Sequence, residues 1–170
     1  GAIGRAMARV GAAFGMRVLL AEHKGSASVR VDRTPFLGVL KESDVVTLHA
    51  PLDDSTRHMI GEFELGCMKR SAILVNTSRG ALVDEAALVD AVLGERILGV
   101  AVDVLSLEPP RDGNPLLAVE RPNVIVTPHI SWASRGARQR LADLVVDNLE
   151  AFVRGAPVNV VNPAYQIAIE

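Results

Sequence analysis

The sequence predicts an α/β fold built on a doubly wound parallel sheet. Three observations carry that prediction. Short aliphatic runs alternate with helical patterns along the chain, as they do where parallel strands cross over through helices. Aromatic residues make up only 4% of a chain that is 49% hydrophobic, and aliphatic cores suit strands buried on both faces. The loops that follow three of the runs carry an arginine, a carboxylate and an imidazole. Such loops, at strand C-terminal ends, are where open α/β sheets bind ligands.

In chain order, Gly1-Ala2-Ile3-Gly4 opens a helix to about Phe14, with Ala6, Met7, Val10 and Ala13 on one apolar side and Gly15 as its stop. Arg17 to Ala21 reads as a strand with Glu22 at its end. Residues 25–33 are polar and turn-rich. Thr34-Pro35 reads as an N-cap with proline at the first helical position of a short helix to about Lys41. Val45 to His49 is a strand stopped by Ala50-Pro51, and Gly61 to Met68 a short helix. Ala72 to Val75 is a strand leading into Asn76-Thr77-Ser78-Arg79-Gly80. Asp84 caps the next helix, which ends near Gly94. Ile97 to Val102 and Val124 to Val126 are strands, separated by a proline-rich loop. A long helix runs from about Ser134 to Val153, with Leu141, Leu144, Val145, Leu149 and Phe152 on one stripe.

The 170 residues suffice for one domain, or one domain plus part of another. A net charge of -2 gives no reason to expect nucleic acid or an anionic membrane as partner. No apolar run approaches the roughly 20 residues that span a bilayer. Cys67 is the single cysteine, so neither a disulfide framework nor a cysteine zinc site is expected, and a reducing cytoplasm fits best. No metal-ligand spacing occurs among His, Cys, Asp and Glu, so no metal is assigned. The chain begins at Gly1, inside a glycine motif, so we expect residues upstream of it.

That motif is a partial dinucleotide fingerprint. Of G-x-G-x-x-G only Gly1-x-x-Gly4 is present, and a loosely packed helix start reads the same way. Glu22 ends the second strand eighteen residues after Gly4, near the place of a ribose-binding acid. A carboxylate there accepts ribose hydroxyls and repels a 2′-phosphate, which favours NAD over NADP. An exposed strand-end glutamate is the plain alternative.

The three later loops carry chemistry of a different kind. Arg79 keeps its charge and can clamp a carboxylate through two parallel bonds. His129, between a strand and a helix, can exchange a proton near neutral pH. Glu108 can orient that imidazole and stabilise its charged form. Each of these residues alone would by default be an ordinary loop residue; the set draws the attention. His49 ends a strand and would line the cofactor groove.

The chain resembles the D-isomer-specific 2-hydroxyacid dehydrogenases. The resemblance rests on Leu48-His49-Ala50-Pro51-Leu52, Val75-Asn76-Thr77-Ser78-Arg79-Gly80, residues 82–88, Asp103-Val104 with Glu108-Pro109, and Thr127-Pro128-His129-Ile130. These pieces are collinear and cover nearly the whole chain. Within the family, residues 104–110, 114–117 and 132–135 look most like the bacterial glycerate dehydrogenase (hydroxypyruvate reductase) branch. The resemblance implies an NAD-binding Rossmann fold and hydride transfer between NAD(H) and a small 2-keto or 2-hydroxy acid. It implies that Arg79 binds the substrate carboxylate and polarises the carbonyl. His129 is implied as acid and base, paired with Glu108, and Asp103 as a neighbour of the nicotinamide. Ala2 and Ile3 are implied to face the pyrophosphate through their backbone amides, beside the Gly1 and Gly4 of the fingerprint. Ala50, Pro51, Thr56, Thr77, Ser78 and Trp132 are implied to line the nucleotide site, together with Arg79 and His129. A homodimer through this domain is implied as well.

Family members carry a substrate domain built mostly from the N-terminal part of the chain. We therefore expect residues 1–156 to be a dinucleotide-binding domain lacking its first strand, and residues 157–170 a tail that returns to a substrate domain not present here. Strand one is central in the order 3-2-1-4-5-6, so without it two half-sheets share no ladder partner, and the chain alone is expected to be poorly stable or to recruit a substitute. Arg70-Ser71 stands where the family usually has Pro-Gly, a local change. Two other readings fit the same residues: a non-enzymatic NAD-sensing module of this fold, and an inactive truncated product.

Overall fold

The computed structural model describes residues 1–161. Four strands form one parallel sheet in sequential order: β1 (Val45–Leu48), β2 (Ile73–Asn76), β3 (Gly99–Val102) and β4 (Val124–Val126). The register pairs Val46 with Leu74, Leu74 with Val100, and Val100 with Val124. The helices are α1 (Ala2–Ala13), α2 (Phe36–Glu42), α3 (Glu62–Cys67), α4 (Glu85–Leu93) and α5 (Arg135–Val153), with 3₁₀ turns at Gly80–Leu82 and Pro115–Ala118. Parallel neighbours joined by right-handed crossovers place their connections on one face. Accordingly α2, α3, α4 and the Pro115–Ala118 turn pack side by side.

The core lies between that layer and the sheet. Leu40, Leu65, Leu74, Leu82, Leu88, Ile97 and Val100 are buried there. Burial alternates along β1, with Val46 and Leu48 inward and Val45 exposed. The ends of the core helices are chemically specified. Asp84 accepts the Ala87 N–H at 3.1 Å to cap α4. Gly61 N–H donates to Glu64 at 3.1 Å at the start of α3. At the family-atypical Arg70-Ser71 a turn still closes, through the 2.9 Å bond from Ala72 N–H to the Lys69 carbonyl.

Two sequence expectations need correction. Arg17 to Ala21 does not join the sheet. Its backbone makes one isolated parallel bridge, Ala21 with Thr34, supported by Thr34 N–H to Leu20 O and Glu22 N–H to Thr34 O, both 2.8 Å. A lone run with no ladder neighbour among the described residues cannot build a strand, however aliphatic it is. The halves expected on either side of a missing central strand are thus a four-stranded ladder and a single bridge. The second correction concerns α2. Its N-cap is Pro35, with no side-chain cap, because Thr34 is extended to bridge Ala21.

The predicted apolar sides of two helices exist but are not packed away. α1 has no buried residue, and Met7 and Val10 are exposed.

The chain forms two compact units, the first ending at His129 and the second beginning at Ile130. Within the second unit, Ser134 caps α5 by accepting the Ala137 N–H at 3.2 Å. Leu141, Leu144, Val145, Leu149 and Phe152 are exposed along the helix, while Ala151 is buried. Past its end, Asn159 bonds Asn148 at 2.9 Å. Of the expected tail, residues 162–170 lie outside the described residues. No helix among the described residues is long and apolar enough to cross a membrane.

Candidate active site

The C-terminal ends of β2, β3 and β4 deliver three loops. After β2, the fully buried Asn76 shapes the first. Its amide donates to the Arg79 carbonyl at 2.9 Å, and its side-chain oxygen accepts the Ser78 N–H at 3.1 Å. Ser78 Oγ donates to Leu48 O at 2.7 Å, tying the loop to the end of β1. These bonds fix the backbone and leave the Arg79 side chain exposed, with Nη1 on the Ser78 carbonyl at 2.7 Å. Thr77 is exposed beside it.

After β3 comes Asp103, 4% exposed. Its N–H donates to Asn76 O at 2.9 Å, and its carboxylate accepts the Thr127 hydroxyl at 2.5 Å. The loop then turns through Glu108, whose Oε1 accepts the Leu105 N–H at 2.7 Å; the Glu108–Pro109 peptide is cis. After β4 stands His129, in the left-handed region at φ 53°. A non-glycine residue held there costs about 1–3 kcal/mol and points to a site where geometry matters. Its Nδ1 meets Glu108 Oε2 at 2.6 Å. Burial pushes the Glu108 carboxyl up. The hydrogen bonds from His129 and Leu105, with the positive charges of His129 and Arg79, outweigh that and hold it below the usual carboxylate value. The structure thus brings Glu108 and His129 together, within the electrostatic reach of Arg79. This arrangement can bind an anionic substrate and move a proton beside it.

Several of the cofactor residues expected from the sequence lie around the C-terminal end of β1, on the same edge of the sheet as the three loops. Gly1 caps α1 without any side-chain partner, which leaves the first-turn amides of Ala2, Ile3 and Gly4 with the character of an anion site. Gly4 sits against His49, where a Cβ would touch the His49 Cβ at 3.4 Å. Burial lowers the His49 imidazole pKa. Ala50 is half-buried; the Pro51 carbonyl accepts Thr56 Oγ1 at 2.8 Å, inside a turn also organised by Asp53. These small residues and open amides fit a dinucleotide. Trp132 is exposed and belongs to the second unit.

Glu22 is engaged more fully than its sequence position suggests. Its Oε1 accepts His23 N–H at 2.9 Å and Arg30 Nη2 at 2.6 Å; its Oε2 accepts Arg30 Nε at 2.9 Å and Arg30 N–H at 3.1 Å. The Arg30 hydrogen bonds, first among these causes, drive its pKa well below the carboxylate range. A carboxylate has about four acceptor sites, and all four donors here are protein groups. Ribose hydroxyls would reach it by exchange with Arg30. Sequence reasoning singled out neither Arg30 nor the shaping role of Asn76. An asparagine closing a buried strand just before a turn was the available signal for Asn76; Arg30 had none.

Residues 1–131 match the family model described as D-isomer specific 2-hydroxyacid dehydrogenase, NAD binding domain. The chain belongs to that family. It is 49% identical over 164 residues to the glycerate dehydrogenase of Methylorubrum extorquens, covering 95% of this chain and 50% of that protein. It is 46% identical over 167 residues to the glyoxylate reductase of Korarchaeum cryptofilum, again 95% of this chain and 50% of the relative. The NAD-complexed D-isomer specific 2-hydroxyacid dehydrogenase from Lactobacillus delbrueckii ssp. bulgaricus superposes with a TM-score of 0.83 at 32% identity, over 95% of this chain and 53% of that one. The chain therefore spans about half the length of the family members it matches. As a 2-hydroxyacid dehydrogenase NAD-binding domain it accounts for the open α1 terminus beside β1. Among the described residues no three His, Cys, Asp or Glu side chains form a metal cluster.

Proposed function

We propose that this chain is the cofactor-binding and catalytic portion of an NAD-dependent enzyme acting on a small 2-keto or 2-hydroxy acid, with hydroxypyruvate/glycerate or glyoxylate as substrate. The contact of His129 Nδ1 with Glu108 Oε2 at 2.6 Å carries the reading, and the similarity to glycerate dehydrogenase and glyoxylate reductases supports the substrate class. Arg79 holds the substrate carboxylate and polarises the carbonyl. His129, steadied through Nδ1, gives a proton to the carbonyl oxygen through Nε2 in reduction and takes it back in oxidation. Glu108 stabilises the imidazolium. Asp103 stands at the nicotinamide side. The amides of Ala2 and Ile3 receive the pyrophosphate, with Gly1 and Gly4 giving it room; Glu22 receives the ribose; and Ala50, Pro51, Thr56, Thr77 and Ser78 line the rest. Bound NAD(H) supplies or accepts the hydride; the protein supplies orientation and charge. The enzyme acts as a cytoplasmic homodimer, and the tail from Pro157 returns to a substrate domain.

The test is NADH oxidation by the natural full-length protein. Turnover with hydroxypyruvate or glyoxylate is expected. Firm NADH binding without turnover on either would move the reading to a binding module.

A further inference from the structure

The loop that presents Glu108 is stapled at two points to one side chain that takes no part in the site described so far. Glu85 is the first residue of α4, next to the Asp84 cap, where the positive end of the helix suits a carboxylate. Its Oε1 accepts the Ser106 N–H at 2.8 Å, and its Oε2 accepts Ser106 Oγ at 2.5 Å and Asn114 Nδ2 at 2.8 Å. Ser106 precedes Glu108 by two residues and Asn114 follows it by six. Asn114 is itself anchored, its Oδ1 accepting the Leu116 N–H at 3.0 Å as the cap of the Pro115–Ala118 turn, and Leu116 is in the core. A second clamp acts from the arginine loop. A Cβ on Gly80 would overlap the Leu105 carbonyl and the Ser106 nitrogen, so the Glu108 loop lies directly on the backbone that follows Arg79.

We propose that Glu85 is a positioning residue for the reaction: by holding Ser106 and Asn114 it fixes the loop in the one place from which Glu108 meets His129. The proposal rests on the reading of Glu108 and His129 given above. Without Glu85, Ser106 and Asn114 lose their shared acceptor, and the loop before Glu108 keeps only its packing against Gly80 and its own internal bonds. Misplacement of a catalytic partner by about 1 Å costs as much as a hundredfold in rate. A staple that served stability alone would lower the melting point and leave the Glu108–His129 pair intact.

The test compares Glu85→Ala and Glu85→Gln with wild type in the natural full-length protein. It measures kcat and KM for hydroxypyruvate reduction and, by ¹³C NMR, the titration of the Glu108 carboxyl. The charged groups acting on Glu108 are His129 and Arg79. Removing the negative charge of Glu85 would by itself push the Glu108 titration down. Losing the His129 contact pushes it up. We expect Glu85→Ala to raise it towards the ordinary carboxylate value and to lower kcat by about tenfold to a hundredfold, with KM changed less. Glu85→Gln, which keeps an acceptor oxygen, should fall between. A Glu108 titration unmoved or lowered, with kcat as in wild type, overturns the proposal. If Glu85→Ala does not fold, Asn114→Ala removes one of the three bonds and must shift the titration in the same direction. Should wild type show no turnover at all, the proposed function fails, while the Glu108 titration still decides the positioning role.

Discussion

Nδ1 of His129 lies 2.6 Å from Oε2 of Glu108, although the two residues sit on loops that leave different strands. Neither loop reaches the other through regular structure, so the pair depends on how each loop is pinned. Thr127 with Asp103 pins the His129 loop, and Glu85 pins the Glu108 loop.

The pair should show itself in the pH dependence of stability. The folded Glu108 pKa is depressed below the ordinary value of 4.5. A depressed carboxylate contributes stability that is present above the unfolded pKa and lost as pH falls through the folded one. The stability difference between wild type and Glu108→Gln, read from urea unfolding, should therefore be present just above about 4.5 and shrink as pH falls below it. A difference that persists undiminished into strong acid would contradict the assignment.

Gly80 is placed by contact rather than by an unusual φ. Because a Cβ there would overlap the Leu105 carbonyl, Gly80→Ala should destabilise by about 1–3 kcal/mol, the usual cost of overpacking. It should also disturb the Glu108 loop. An unchanged urea midpoint would show that the loop can move aside at no cost.

Local stability should be uneven. α1 buries no side chain and the Arg17 to Ala21 run makes one bridge, whereas Leu74 and Val100 are buried in the paired centre of the sheet. In hydrogen exchange on the 170-residue chain alone, amides of α1 should exchange well before those of β2 and β3, and the thermal melt should be weakly cooperative. Equal protection across both regions, with a sharp melt, would sink this expectation.

Much of the fold was legible in the sequence because its signals are local. Aliphatic runs marked β1 to β4, and Asp84 and Ser134 marked the starts of α4 and α5. The Arg17 to Ala21 run failed as a strand because strand formation needs a neighbour, and periodicity says nothing about whether one is at hand. Thr34 failed as a cap because its backbone was claimed by Leu20 and Glu22. At the site, Arg79, Glu108 and His129 could be picked out by residue type at strand ends. Arg30 on Glu22 and Glu85 on Ser106 could not, since those bonds join segments whose approach only the folded chain decides.

The most direct measurement is turnover and cofactor binding by His129→Ala in the natural full-length protein. NADH should still bind with near wild-type affinity, read by fluorescence, while hydroxypyruvate-dependent NADH oxidation should fall by about a hundredfold or more, the scale of lost general acid catalysis. Turnover at the wild-type rate with His129 removed would contradict its role as the acid and base.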